Sequence, residues 1–105
     1  MDQKTLDSCV AACNACNHCA AACLQEPDVK MMVRCVALDM DCAALCQLAA
    51  AAMARQSDFA HQICHLCASV CDPCGDECAR HDMDHCQQCA AACLECAKAC
   101  RAMTA

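Results

Sequence analysis

The 105-residue chain contains 18 cysteines, one Gly, two Pro and one Phe, lacks Trp and Tyr, and carries a formal net charge of −6 at pH 7. This length fits one domain, residues 1–105, and the scarcity of Gly and Pro excludes a loop-rich fold because tight turns favour both residues. The acidic balance excludes nucleic acid as a partner, and the lack of 18 uninterrupted apolar residues predicts no membrane span.

The first half of the chain shows a helical cysteine period. Steps of three and four residues place side chains on one face of an α-helix, whereas a strand repeats every two residues. We predict helices near 5–25 and 27–55, with Pro27 in the first turn of the second. Asp39 falls at the edge of the second helix's cysteine face, where we expect it to reach solvent; the alternatives are a metal ligand or a hydrogen-bond acceptor between helices. The cysteines concerned are Cys9, Cys13, Cys16, Cys19, Cys23, Cys35, Cys42 and Cys46.

The second half carries two cysteine runs with the same steps of three, four, three and four, offset by 22 residues. We predict helices near 58–80 and 82–103, with N-caps at Gln56-Ser57-Asp58 and at Asp82. Pro73 predicts a kink inside the third helix, but the cysteine phase continues across it, which favours one bent helix. The cysteines are Cys64, Cys67, Cys71, Cys74, Cys78, Cys86, Cys89, Cys93, Cys96 and Cys100.

Short links between consecutive helices make neighbouring helices antiparallel. The predicted fold is therefore all-α, an up-down-up-down four-helix bundle with cysteines lining its core. Thiols stand where a bundle ordinarily places Leu, Ile and Val.

The spacing of the thiols favours metal binding over disulfides. Residues four apart on a helix have Cβ atoms about 5–6 Å apart, whereas a disulfide needs about 3.5–4.5 Å. Two sulfurs bound to one metal ion lie about 4.5 Å apart for bonds near those of zinc. All 18 cysteines are therefore candidate metal ligands.

Charge favours Cu(I) among the soft ions that thiolates select. If each sulfur bridges two ions and each ion takes two sulfurs, there is about one ion per cysteine, and a monovalent ion leaves the buried core neutral. A zinc ion held by four cysteines would retain a charge of about −2.

Two other metal-binding classes stay open. The run Cys13-x2-Cys16-x2-Cys19-x3-Cys23 matches the spacing of bacterial iron–sulfur ferredoxins, but Leu24 replaces the usual Pro and the run lacks loop residues. A zinc-binding, thionein-like protein is the second alternative. An enzyme is not expected, because no nucleophile–base pair stands apart from the cysteine repeat and no Gly-rich phosphate loop occurs.

The repeated Cys-x2-Cys-x3-Cys helices resemble those of the bacterial copper storage proteins, and residues 81–96 are especially similar to that family's last helix. The resemblance implies a cysteine-lined four-helix bundle, storage of many Cu(I) ions and a homotetramer. The N-terminus lacks the features of an export signal, so the resemblance is to the cytosolic branch and predicts a cytoplasmic protein. Copper would then arrive on copper chaperones or small thiols.

Thioethers and imidazoles at one end of the predicted bundle are candidate ligands for copper uptake. The first–second and third–fourth links meet at that end and gather Met31, His81 and His85 near the last thiols of the core. The opposite end has its own candidates, so the direction of uptake stays open. Those candidates are Met53, His61, His65 and Met103.

Overall fold

The computed structural model describes residues 2–104, which form four α-helices and a short 3-10 helix. The predicted all-α fold is confirmed. The helices are α1 (Gln3–Cys23), α2 (Val33–Ala54), α3 (Ala60–Ala79) and α4 (Asp84–Thr104), and the 3-10 helix is Val29–Met32.

The helices pack in chain order around a square. α1 contacts α2 and α4, and α3 contacts the same two helices, so α1 and α3 lie on one diagonal. The described residues occupy 44 × 19 × 17 Å, and the cysteine faces meet along the long axis. The core is therefore a narrow channel of side chains that runs the length of the bundle.

Helix α1 begins two residues earlier than the sequence predicts because Asp2 caps it. The Asp2 carboxylate accepts hydrogen bonds from the Thr5 main-chain N–H at 3.2 Å and from the Thr5 hydroxyl at 2.8 Å. These bonds hold the pKa of Asp2 below its usual value. They satisfy donors that the first helical turn leaves unpaired.

The expectation that Pro27 lies in the first turn of the second helix is wrong. α1 ends at Cys23, residues 24–28 form turns, and the 3-10 helix follows before α2 starts at Val33. Proline disfavours helical backbone in the residue before it, which is Glu26, so α1 does not continue to residue 25 and beyond. Asp28 then makes no side-chain capping bond that would start an α-helix directly.

The two remaining links are tight. Gln56 adopts φ 54° just after α2, a left-handed position that commonly ends a helix. The expected N-cap at Gln56-Ser57-Asp58 is wrong, because α3 begins at Ala60 with Phe59 in the N-cap position. The Ser57 hydroxyl instead accepts a hydrogen bond from the Phe59 N–H in the turn, at 3.1 Å. The expected N-cap at Asp82 is not the start of α4. That helix begins at Asp84, and the Met83 carbonyl accepts its first hydrogen bonds.

Helix α3 is continuous across Pro73, in agreement with the unbroken cysteine phase. Gly75 follows, and a Cβ atom at this position would lie 2.9 Å from Cγ of Leu94 on α4. The missing side chain therefore lets α3 and α4 approach closely.

The stretch Val29–Ala54 is long and apolar enough to cross a membrane by length and mean hydropathy. Its face toward the other helices carries Cys35, Asp39, Cys42 and Cys46, all fully buried in the bundle. We therefore interpret this stretch as a bundle helix, although its outward face is unusually apolar.

Candidate metal centre

Sulfur fills the core of the bundle. None of the 18 cysteines, all of them within the described residues, forms a disulfide, and 17 of them are buried. In the described part of the chain, Leu, Ile and Val side chains are at most partly buried against this core, and the other buried apolar side chains are Ala and Met. The buried cysteines are Cys9, Cys16, Cys19, Cys23, Cys35, Cys42, Cys46, Cys64, Cys67, Cys71, Cys74, Cys78, Cys86, Cys89, Cys93, Cys96 and Cys100.

The thiols of different helices are in van der Waals contact. Sγ of Cys16 on α1 lies 3.3 Å from Sγ of Cys93 on α4, and Sγ of Cys42 on α2 lies 3.4 Å from Sγ of Cys71 on α3. Within α3, Cys67 and Cys71 are 3.8 Å apart. A disulfide bond is about 2.05 Å long, so these sulfurs are unbonded and close enough to share metal ions.

The sulfurs form sets of four whose ligand atoms lie within 4.8 Å of one another. These sets combine residues from two or more helices and follow one another along the channel. Two of them share Cys67 and Cys96, which allows these sulfurs to bridge neighbouring metal ions. The sets are Cys9/Cys67/Cys96/Cys100, Cys46/Cys67/Cys71/Cys96, Cys16/Cys42/Cys74/Cys93 and Cys19/Cys23/Cys35/Cys86.

Cys13 differs from the other cysteines because it is only half-buried. It lines a surface groove between α1 and α2 together with Asn17 and Gln47, and its Sγ is 3.7 Å from the Asn17 amide nitrogen. The ferredoxin-like run that includes Cys13 therefore lies on an unbroken helix, with its first thiol turned toward the surface.

Asp39 is fully buried, so the expectation that it reaches solvent is wrong. Its Oδ1 accepts hydrogen bonds from the thiols of Cys74, Cys78 and Cys89 at 3.2, 3.4 and 3.3 Å. Its Oδ2 lies 3.8 Å from the Cys35 sulfur. The carboxyl group thus joins thiols of α2, α3 and α4, and it belongs to a further four-ligand set with Cys16, Cys74 and Cys89.

Burial raises the pKa of several acidic groups in this core. Loss of solvation raises the pKa of Asp39 to about 7. It also raises the pKa of Cys64, which lies near Cys9 and Cys100, to about 12. Desolvation likewise raises the pKa of Cys23 and Cys86. Metal ions bind thiolates rather than thiols, so loading this core with metal must release protons.

One end of the bundle, formed by residues 24–32 and 80–85 and called the mouth below, places the predicted uptake residues beside the last thiol set. Cys23 and Cys86 meet there with their sulfurs 3.7 Å apart. The Met31 side chain is 65% exposed, whereas the side chains of His81 and His85 are only 10% and 14% exposed.

The two histidines differ in their partners. Nε2 of His81 lies 2.9 Å from Oε2 of Glu77. Nε2 of His85 is buried and has no hydrogen-bond partner within residues 2–104; the nearest charged oxygen is Oε1 of Glu26, at 3.7 Å. His85, which precedes Cys86 in the chain, therefore offers an uncommitted ring nitrogen at the mouth.

The opposite end has a shallow cavity of about 240 Å³ whose lining includes Met53, His61 and Met103. Met53 is almost fully buried, while His61 and His65 are exposed. The candidate ligands at this end are thus two thioethers, Met53 buried and Met103 partly buried, and two solvated imidazoles.

Sequence reasoning missed the burial of Asp39 and the presence of Glu77 at the mouth. Glu77 is 7% exposed and binds the side chains of Arg80 and His81. Its position four residues before His81, one helical turn, was the available signal.

Comparisons with known proteins agree with this geometry. The sequence model of a family described as "Copper storage protein" matches residues 1–105. The cysteine-rich protein YhjQ of Bacillus subtilis is 47% identical over 103 residues, which cover 98% of this chain and 95% of the relative.

Two solved structures are similar over almost the whole chain. The Cu(I)-bound copper storage protein BsCsp3 of Bacillus subtilis superimposes with a TM-score of 0.94 at 46% identity, covering 98% of this chain and 97% of that one. A cytosolic copper storage protein of Streptomyces lividans, solved during copper loading with five coppers, gives a TM-score of 0.93 at 39% identity, covering 97% and 90%. The family predicted from the cysteine helices is confirmed: the chain belongs to the copper storage protein family.

Proposed function

We propose that this protein stores Cu(I) as its cargo in the sulfur channel of the bundle. The observation that carries this proposal is the burial of 17 cysteine thiols, most of which fall into four-ligand sets along the channel. Soft thiolates select soft ions, and the family to which the chain belongs supports Cu(I) among them.

The stoichiometry we propose is about one Cu(I) per cysteine. Each thiolate introduces one negative charge into a channel shielded from water, and uncompensated buried charge is costly. Shared membership of Cys67 and Cys96 in neighbouring sets supports bridging sulfurs, and a bridged lattice with one monovalent ion per thiolate is neutral.

The identity of the metal is tested by competition. Apo protein is exposed anaerobically to equal amounts of Cu(I) and Zn(II), and the bound metals are measured by elemental analysis. We expect copper to occupy the channel and zinc to be excluded. Preferential retention of zinc would support the thionein alternative, and iron with visible absorbance in the protein as isolated would support the iron–sulfur alternative.

We place copper uptake at the mouth, with Met31, His81 and His85 as the first ligands. The unpartnered, buried Nε2 of His85 supports this assignment, since a neutral imidazole nitrogen in that state is ready to bind a metal. The exposed thioether of Met31 is accessible to a donor in solution.

The direction of uptake is tested by loading rates. We expect His81→Ala and His85→Ala to slow the transfer of Cu(I) from a chelator, whereas the matched variant His61→Ala at the opposite end loads like the wild type. Slower loading in His61→Ala, with both mouth variants unchanged, would place uptake at the other end.

We also propose that the bundles assemble into a homotetramer through the outward face of α2. Val33 and Met40 are each 63% exposed on this face, and they line an apolar groove of about 300 Å³ with Leu24 and Val36. Contiguous exposed apolar surface of this kind marks protein–protein contacts.

Assembly is tested by light scattering on the apo and the copper-loaded protein. We expect a mass about four times the 11.1 kDa chain, and a smaller species for Met40→Glu. Phe59→Glu is the control, because Phe59 is 64% exposed but lies outside this face. A monomeric wild type, or an unchanged mass for Met40→Glu, would contradict the assignment.

We further propose that the protein acts in the cytoplasm as a single domain, residues 1–105, without enzymatic activity. Free thiols persist in reducing compartments, and the similar Streptomyces lividans protein is described as cytosolic. Donors and acceptors of its copper would be copper chaperones or small thiols, which exchange Cu(I) by ligand substitution.

A further inference from the structure

A buried carboxylate lies directly behind the mouth. Glu77, on the last turn of α3, is 7% exposed, and its Oε1 is 3.2 Å from Nη1 of Arg80 and 3.6 Å from Nε of Arg34 on α2. The two guanidinium groups offset the charge of a carboxylate that is removed from water. Its other oxygen, Oε2, is 2.9 Å from Nε2 of His81.

His81 is held on its backbone as well as on its ring. Its carbonyl accepts a hydrogen bond from the Gln87 side-chain amide at 2.6 Å, and its N–H donates to the Cys78 carbonyl at 3.1 Å. The ring is 90% shielded from solvent. Contacts from α3 and α4 thus fix both the position and the rotation of this imidazole.

The partner of Nε2 determines which ring nitrogen can bind a metal. A carboxylate only accepts hydrogen bonds, so Nε2 must carry the hydrogen in this contact. A neutral imidazole with its hydrogen on Nε2 has its free lone pair on Nδ1. Metal-binding histidines generally donate their second ring N–H to a carboxylate or carbonyl, which fixes the tautomer and raises the basicity of the ligating nitrogen.

We infer that Glu77 is a positioning residue for copper uptake: it holds His81 in the Nε2–H tautomer, so that Nδ1 is the nitrogen presented to incoming Cu(I). This inference rests on the uptake role proposed above for His81. His85, whose Nε2 has no hydrogen-bond partner among the described residues, binds through that atom instead. The two mouth imidazoles therefore use different nitrogens.

The tautomer is tested first, by long-range ¹H–¹⁵N NMR of the apo protein at a pH where His81 is neutral. We expect wild type and Glu77→Gln to show the hydrogen on Nε2, because the Gln carbonyl oxygen accepts the same hydrogen bond. Glu77→Ala should show a mixture of tautomers. A wild-type His81 with its hydrogen on Nδ1 overturns the inference, and this measurement needs no variant to fold.

Copper loading is tested next, anaerobically, as the rate of Cu(I) transfer from a chelator complex. We expect Glu77→Ala to load about tenfold more slowly, at the low end of the loss seen when an outer partner of a metal ligand is removed. The double variant Glu77→Ala/His81→Ala should be no slower than His81→Ala alone. Glu77→Gln should load at nearly the wild-type rate.

Asp76→Ala is the matched control. Asp76 is an exposed acid on the same helix and borders the same surface groove as Arg34 and Arg80, so its removal changes the local charge without touching His81. We expect it to load like the wild type.

The loading rates of the His81 and Glu77 variants distinguish the uptake role of His81 from the positioning role of Glu77. If His81→Ala loads normally, the uptake role of His81 fails, whatever Glu77 does. If His81→Ala is slow while Glu77→Ala loads normally, or if Glu77→Ala slows the double variant further, His81 retains its role and the positioning role of Glu77 is overturned.

Discussion

Asp39 brings a carboxyl group into a core made largely of thiols and small apolar side chains. The sequence placed Asp39 at the edge of the cysteine face of α2, but it did not predict that the side chain is buried. Helical periodicity gives the angle of a side chain around its own helix and not the distance to the neighbouring helix. The thiols of Cys74, Cys78 and Cys89, which come from two other helices, surround it.

Asp39 should make the stability of the apo protein depend on pH. Burial raises its pKa from 3.8 to about 7, so the folded state holds a proton that the unfolded chain releases between these values. This contribution to stability is fully present below about pH 4 and is lost as the pH rises to about 7. We expect the free energy of unfolding to fall more steeply across this range in the wild type than in Asp39→Asn.

The measurement is urea unfolding of both apo proteins under anaerobic, reducing conditions at several pH values. Asp39→Asn keeps the shape of the side chain and cannot titrate. The contributions of the other titrating groups to the free energy of unfolding are therefore the same in both proteins and cancel in the comparison. Equal pH dependence in the two proteins would show that Asp39 ionises normally in the folded state.

At the scale of the helices, the sequence predicts which segments are helical and how they are ordered. The three- and four-residue steps of the cysteines identify one face in each segment, and α3 keeps its phase across Pro73. Helix ends are less predictable because they depend on particular hydrogen bonds. The Asp2 cap moves the start of α1, and the turn at Pro27 shortens α1 and delays α2.

Contact between α3 and α4 depends on the missing side chain of Gly75. A Cβ atom there would lie 2.9 and 3.0 Å from Cγ and Cδ2 of Leu94, closer than packed carbon atoms normally approach. We expect Gly75→Ala to destabilise the apo protein by about 1 kcal/mol, because overpacking costs typically 1–3 kcal/mol and the gain in helix propensity offsets about 1 kcal/mol of it.

The double variant Gly75→Ala/Leu94→Ala isolates this contact. With Leu94 shortened, the added methyl group should stabilise the helix, so the two substitutions should be non-additive by about 1 kcal/mol or more. Thermal or urea unfolding of the four proteins measures this coupling. Additive effects would mean that the two helices separate freely when a side chain is added.

At the scale of the whole molecule, cysteine takes the place that larger apolar residues hold in other bundles. Leu, Ile, Val, Phe and Met together number 21, barely more than the 18 cysteines, and the core within residues 2–104 contains Cys, Ala and Met. Composition and period were sufficient to predict this core. The contact of Glu77 with His81 had only their four-residue spacing as a sequence signal, because His81 lies in the link after α3 and its position depends on the path of that link.

Copper should therefore stabilise the bundle strongly. Ions that bind only the folded state add to its stability by mass action, about 4 kcal/mol at a free concentration a thousandfold above Kd, which raises Tm by roughly 15–30 °C for a chain of this size. Calorimetry before and after anaerobic loading measures the shift, and a strong Cu(I) chelator should reverse it. An unchanged Tm would mean that copper binds outside the core.

The number of Cu(I) ions bound at saturation decides whether the buried thiols store copper. The measurement is anaerobic titration of the apo protein against a Cu(I) chelator, with the bound copper counted by native mass spectrometry. The arrangement of thiols predicts about one Cu(I) for each of the 18 cysteines, filling the channel as a neutral assembly. Saturation at one or two ions per chain would contradict storage in the sulfur core.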